Sequence, residues 1–445
     1  MARDFIAVAD QVAADIATGR LRAGERLLPQ REFAYRHGIA ASTASRVYGE
    51  LVRRGLVIGE VGRGTFVRGA PGPVHLPLVE PSPAPVDLEL IFPVLPDHAE
   101  ILGAALGNLV RSRAFAQALR PIGAAATPAV RETAAGFMSR CGWVPDPDDV
   151  LFAGNGRQAI AAAFAALAGP GARIGVEALT YPVAKGIAAR LGITLVPLGI
   201  DERGLVPDAL AAAHRAQPLN AVYLQPSLHS PTGATMDDAR RGEIAELLRT
   251  TGLVAVEDGI YSFLAEEAPL AALVPDRVVF VDSLSKRIAP GLTLGMLVAP
   301  KALVGRLAAA LRSGAWSASG LPAAAGMHWM GDGSVRRIVE AKRADARARQ
   351  ALAREVLRDL GPRGDPRAYH LWLPLPEPWR GEAFAAAALR RGIALTPGSA
   401  FAVTPGHAPN GVRLALASPE QSVLVQALRT LRDLASGEIE SDHTE

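Results

Sequence analysis

The sequence predicts an α/β protein whose main body is a largely parallel sheet covered by helices, with a small helical module ahead of it. Three observations lead there. From Asp87 onward, apolar β-branched runs alternate with alanine-rich helical stretches, the pattern of repeated strand-helix-strand units. Residues 70–86 are crowded with prolines, which neither a helix nor a central strand tolerates. The first 69 residues have a helical period of their own and a charge bias of their own. The chain therefore divides into residues 1–69, a tether at 70–86, and a body at 87–445. A length of 445 residues fits roughly two or three domains of ordinary size.

In the first module, Phe5, Ile6, Val8, Ala9, Val12 and Ile16 form one apolar stripe that ends at Thr18-Gly19, so a helix is expected there. A second short helix is expected to start at Leu28-Pro29 and to break at His37-Gly38-Ile39. A third should run from about Ser42 to Arg54, with Tyr48 and Leu51 in the core. A helix entering the major groove presents its N-terminal residues to bases and phosphates, and Ser42, Thr43, Ser45 and Arg46 suit that place. The stretches 55–58 and 62–67 read as a hairpin with Arg63 at its tip and Thr65 beside it. Eleven arginines against seven acidic residues in 1–69 leave this module basic, although the whole chain is close to neutral at +3. A nucleic acid is the partner such a bias suggests, and double-stranded DNA the one that a helix in the major groove would meet.

The tether, from Ala70-Pro71-Gly72-Pro73 through Pro85, is expected to be semi-extended and stiff. The single cysteine, Cys141, rules out an intrachain disulfide framework and fits a reducing cytoplasm. Neither an export signal nor a membrane span is expected, since no apolar run reaches spanning length. No metal site is expected either.

In the body, strands are expected at 150–152, 173–177, 193–197, 221–225, 253–257, 278–282 and 294–298. A long polar helix should follow at about 334–360, then a small α+β tail with strands near 369–373 and 412–416. Ligands of open α/β sheets sit at the C-terminal ends of the strands. One such end is Asp282-Ser283-Leu284-Ser285-Lys286-Arg287. The chain holds four lysines, at 185, 286, 301 and 342. Of these, Lys286 alone follows two serines at a buried strand end. A lysine can shed its proton and attack an aldehyde, which arginine cannot. Other strand ends carry Gly156 and Arg157 at the start of a helix, suited to a phosphate. Tyr181 could lie flat on an aromatic ring. Asp258 and Tyr261 are spaced to face one cleft, and Ser230 belongs to a Ser-Pro-Thr-Gly loop. Arg413 could grip a carboxylate bidentately.

Two resemblances organise these residues. The Leu28-Pro29-x-Arg31 start, the Tyr48-x-x-Leu51-x-x-x-Gly55-Leu56 spacing and the Gly62-Arg63-Gly64-Thr65-Phe66 tip resemble the winged helix-turn-helix of GntR regulators. That likeness implies DNA contacts from Arg31 and Arg46 and a minor-groove contact from Arg63. Gly156, Tyr181, Pro231-Thr232-Gly233, Asp258, Tyr261, Ser283-x-Ser285-Lys286 and Arg413 resemble, in order, the fold type I aminotransferases across about Asp87 to Gly437. Together the halves look like the MocR subgroup, in which an aminotransferase-like domain serves as a sensor. The resemblance implies pyridoxal 5'-phosphate held as a Schiff base on Lys286, with Asp258 on the pyridinium and Tyr261 on the ring hydroxyl. It also implies Tyr181 stacked on the ring, phosphate contacts from Ser283, Ser285, Gly156 and Arg157, an effector carboxylate on Arg413, and a homodimer.

The chain departs from the pattern twice. Thr293 stands in Pro-Gly-Leu-Thr-Leu-Gly where family members usually carry an arginine that binds phosphate, and Arg157 and Arg287 are the candidates to replace its charge. Ser230 stands where many aminotransferases have an asparagine on the ring hydroxyl. Three readings follow. The first is a regulator sensing an amino acid or amine by aldimine exchange at Lys286. The others are a working aminotransferase with a DNA module, and a DNA-binding protein whose degenerate body only dimerises.

Overall fold

The computed structural model describes residues 5–22, 25–54, 56–60, 64–67, 83–93, 95–120 and 122–437. Contacts divide the chain into two compact units, Met1–Leu78 with Thr404–Pro409, and Val79–Val403 with Asn410–Glu445. Residues 70–82 of the expected tether lie outside the described residues, as does Arg63.

The smaller unit has three helices, α1 (Phe5–Ala17), α2 (Gln30–His37) and α3 (Ala41–Arg53), followed by an antiparallel hairpin of β1 (Val57–Glu60) and β2 (Gly64–Val67). Pro29 precedes the first residue of α2, and Gly38 closes the helix in the left-handed conformation, with φ 61°. A glycine takes that conformation without steric penalty, which is why the break falls there. Val8, Val12, Phe33, Val47, Leu51 and Val67 meet in the core. Tyr48 joins them, and its hydroxyl donates to the Leu28 carbonyl.

The strands of the larger unit, in chain order, are β3 (Val86–Leu88), β4 (Val150–Ala153), β5 (Arg173–Glu177), β6 (Thr194–Leu198), β7 (Ile200–Asp201), β8 (Gly204–Leu205), β9 (Ala221–Leu224), β10 (Ala255–Asp258), β11 (Val278–Ser283), β12 (Gly295–Val298), β13 (His370–Pro374), β14 (Ile393–Pro397) and β15 (Gly411–Ala415). Seven form the main sheet, in the order β4-β12-β11-β10-β9-β5-β6. From β11 to β6 the pairs are parallel, whereas β12 runs antiparallel to both its neighbours. Residues 284–294 join β11 to β12, too short a link for a full helical crossover, so the chain returns antiparallel. Every residue of β4, β9, β10, β11 and β12 is buried, as strands covered on both faces must be.

Ahead of β4, two helices, His98–Arg111 and Arg113–Ala118, are separated at Ser112, whose hydroxyl donates to the Leu109 carbonyl at 2.7 Å. The long helix Ser334–Val356 leads to a second sheet in the order β13-β15-β14-β3. Two of its strands, β14 and β3, escaped the sequence reading. Strand β3 pairs parallel with β14 and begins at Val86, within the proline-dense stretch. Among the described residues no helix is long and apolar enough to cross a membrane.

Candidate functional site

The C-terminal ends of β10 and β11 open into a cavity of about 280 Å³. Gly156, Arg157, Tyr181, Ser230, Asp258, Tyr261, Ser285, Lys286 and Arg413 all line it, together with Thr293. Ser283 lies just behind. Residues that the sequence scatters over more than 250 positions thus meet at one place.

Lys286 lies in the short helix Leu284–Arg287 that follows β11. Its Nζ donates to the Ile91 carbonyl at 2.7 Å and lies 3.6 Å from the centre of the Phe92 ring. Burial pushes its pKa well below the usual lysine range, and the positive charges of Arg413 and Arg157 act in the same direction. The amine is therefore poised to be neutral and nucleophilic. Asp258, at the end of β10, accepts from the Tyr223 hydroxyl at 2.6 Å, from Gln225 Nε2 at 3.0 Å and from the Ile260 amide at 3.1 Å. Burial raises its pKa against those three bonds, so its carboxylate favours a cationic N–H partner. Burial also raises the Tyr261 and Tyr181 hydroxyls, and Tyr181 accepts from Arg157 Nε at 3.1 Å.

Three hydroxyls gather beside Lys286. Ser283 Oγ is 2.9 Å from Ser285 Oγ and 3.1 Å from Thr293 Oγ1, and it accepts from the Ser285 amide at 3.2 Å. Gly156 begins the helix Gly156–Leu167 against them, where a Cβ would lie 3.3 Å from Ser283 Cβ. Hydroxyls, the amide end of a helix and a close backbone approach make a place for a phosphate.

Arg413, on β15, donates to Thr396 Oγ1 at 2.9 Å, to Ser230 Oγ at 3.5 Å and to the Glu89 carbonyl. Its Nε is buried with no hydrogen-bond partner among the described residues. An arginine held by neutral oxygens keeps its charge available to an anion.

The family-model comparisons give two matches. Residues 6–67 match the gntR family of bacterial regulatory proteins, and residues 111–431 match aminotransferase class I and II. An uncharacterized HTH-type transcriptional regulator of Bacillus subtilis, YdeF, is 30% identical over 97% of this chain and 94% of its own length. The chain belongs to the GntR regulators that carry an aminotransferase class I and II domain. That combination is the MocR subgroup, and pyridoxal phosphate is its cofactor. A vitamin B6 salvage pathway transcriptional repressor of Salmonella typhimurium, PtsJ, is 26% identical over 93% of this chain and 94% of its own. Among solved structures, a multiple substrate aminotransferase from Thermococcus profundus superposes with a TM-score of 0.73 at 23% identity, covering 82% of this chain and 94% of that one. That likeness shows the fold of the larger unit.

The cavity fits the cofactor of this MocR chain, with a lysine, a buried acid, a hydroxyl cradle and a flanking tyrosine in one chamber. One expected residue does not take part. Arg287 does not line the cavity. Its guanidinium is tied to Asp282 and lies 4.9 Å and 5.4 Å from the rings of Phe137 and Phe263, because a buried carboxylate at the strand end draws it inward. Of the two arginines expected to compensate for Thr293, Arg157 alone lines the cavity. Tyr223, Gln225, Thr396 and Phe401 were missed by sequence reasoning. Tyr223 and Gln225 sit in and just after a strand that reads as plain core, where position at the strand's C-terminal end is the one available signal.

In the smaller unit, Arg31, Ser42, Ser45 and Arg46 are exposed, while Thr43 and Thr65 are half-buried. The Arg46 guanidinium lies 3.9 Å from the centre of the Phe5 ring, which fixes its stem and leaves it at the surface. No side chain caps the first turn of α3, and Ala41 and Ser42 there are exposed.

Proposed function

We propose that the chain is a transcriptional regulator in which pyridoxal phosphate on Lys286 senses an amino-acid or amine effector by aldimine exchange, and that the exchange alters DNA affinity. The supporting observation is the shared cavity, with the buried Lys286 amine and the Arg413 guanidinium facing one chamber in a chain that also carries a GntR module. When bound, the cofactor supplies an aldehyde that captures primary amines. Ser283, Ser285, Thr293 and the amides of Gly156 and Arg157 hold its phosphate, Asp258 its ring nitrogen, and Tyr261 and Ser230 its ring hydroxyl. Tyr181 lies against the ring, and Arg413 takes the effector's carboxylate. Arg31, Ser42, Thr43, Ser45, Arg46, Arg63 and Thr65 contact double-stranded DNA. On this reading residues 1–69 are the DNA module and 87–445 the effector domain of a cytoplasmic homodimer. The ligand moves the dimer between conformations only as far as it prefers one of them.

The test uses the cofactor-loaded full chain and genomic fragments it selects from a pool. Standard amino acids and simple amines are screened for a shift of the visible absorbance and for a change in DNA affinity. An effector should do both, with little keto-acid product. Arg46→Ala and Arg63→Ala should each lower the slope of log affinity against log salt by roughly one unit, and binding unaffected by both would refute the docking of helix and wing. Sustained transamination at roughly one turnover per second or faster, with DNA affinity unmoved, would establish the enzyme reading instead.

A further inference from the structure

Lys342 stands in the long helix Ser334–Val356 and is fully buried. An ammonium in that setting needs strong acceptors. Its Nζ donates to the Lys286 carbonyl at 2.9 Å and to the Ile288 carbonyl at 2.7 Å. The helix Leu284–Arg287 ends between those two carbonyls, and Ile288 leaves it with φ −107° and ψ −88°. The turn is thus pinned twice, through its backbone by Lys342 and through the Arg287 side chain by Asp282. The Lys342 segment is itself held, since the Tyr369 hydroxyl donates to the Lys342 carbonyl and to Asp345, both at 2.9 Å.

We propose that Lys342 is a positioning residue for Lys286, clamping the carbonyls on either side of the turn so that the Lys286 amine enters the cavity in one direction. The proposal rests on the reading of Lys286 as the cofactor lysine. The clamp also carries a charge. The groups around the Lys342 ammonium are Lys286, Asp345 on its own helix and His98 on the helix His98–Arg111, and burial keeps His98 down at about 4. Burial lowers Lys342 to about 7, so its charge acts on Lys286 below that pH and fades above it.

The experiment compares the full chain with Lys342→Met and Lys342→Gln. Visible absorbance is followed on adding pyridoxal phosphate to the apoprotein, and the loaded protein is titrated with acid and base. Lys342→Met removes both hydrogen bonds to the turn and should slow the appearance of the band about tenfold or more. It should also raise the titration midpoint by roughly one unit, because a neighbouring positive charge is gone. Lys342→Gln, which keeps a donor but no charge, should restore most of the rate and leave the midpoint raised. A merely structural tie would not separate the two readouts. Rates and midpoints equal to the parent's in both variants would overturn the proposal.

Should the variants fail to fold, the parent decides. With four lysines in the chain, 13C labelling at Cε gives four signals, and Lys301→Arg identifies the exposed control. Loading the cofactor should move the Lys342 signal and leave that of Lys301 in place. An unmoved Lys342 signal would overturn the clamp alone. A parent that shows no visible band would overturn the reading of Lys286 as well.

Discussion

Two arginines of the larger unit are almost equally buried, Arg287 at 7% exposure and Arg413 at 8%, yet their surroundings differ in kind. Arg287 meets a carboxylate, Asp282, and two aromatic rings, so its charge is cancelled where it lies. Arg413 meets two hydroxyls, a carbonyl and the face of Phe401, and burial lowers its pKa with no anion bonded to it. The first is a structural ion pair, whereas the second has no anion bonded to it. Burial alone does not distinguish them; the charge of the partner does. The difference also explains why Arg287 cannot supply the positive charge that an arginine in place of Thr293 would bring, since moving it would leave Asp282 buried and unpaired.

The largest expected effect follows from that pairing. Arg287→Ala strands a buried carboxylate and should lower the unfolding free energy by about 3–5 kcal/mol, whereas Arg413→Ala should change it by roughly 1 kcal/mol or less. Urea unfolding of both variants measures this, and equal losses would erase the distinction. Next comes binding. Arg413→Ala should weaken a carboxylate-bearing effector by about 10- to 100-fold, the worth of a hydrogen bond to a charged group, and should leave cofactor loading intact. Titration of the visible spectrum with effector measures it, and an unchanged affinity would remove Arg413 from the site.

A smaller effect concerns the base beside Arg413. His370 is buried, with burial and the Arg413 charge holding its pKa down to about 3. Its folded value lies below its unfolded value, so between about 3 and 6.5 the unfolded chain takes up a proton that the native chain refuses. Stability is therefore complete above about 6.5 and falls as the pH drops through that window, by about 2 kcal/mol at pH 5. Urea unfolding at pH 7 and pH 5 should show the loss, and Arg413→Ala should reduce it by removing the repelling charge. A pH-independent midpoint would mean that His370 already carries its proton.

The sequence made the cavity legible wherever a local pattern marked a strand end. Runs such as Val278–Val281 announce a buried strand, and the small polar residues after it announce a ligand loop, so Lys286, Ser283, Asp258 and Gly156 could be singled out from neighbours alone. Pairings across long sequence distances could not. Nothing near Arg413 shows that it meets oxygens from Thr396, Ser230 and Glu89, and nothing near Lys342 shows that it reaches back to Lys286. On its own helix Lys342 reads as one more solvated lysine. Arg287 could have been placed, since Asp282 stands five residues before it, but proximity to Lys286 suggested the cavity instead. Strand β3 was hidden by the prolines ahead of it, because its partner β14 lies about 300 residues away.

The cofactor lysine remains the claim on which the rest depends. Borohydride reduction of the loaded full chain, followed by peptide mass mapping, tests it directly. The account predicts one phosphopyridoxyl adduct, on Lys286, abolished by Lys286→Ala. An adduct on Lys185, or trapping that survives Lys286→Ala, would contradict it.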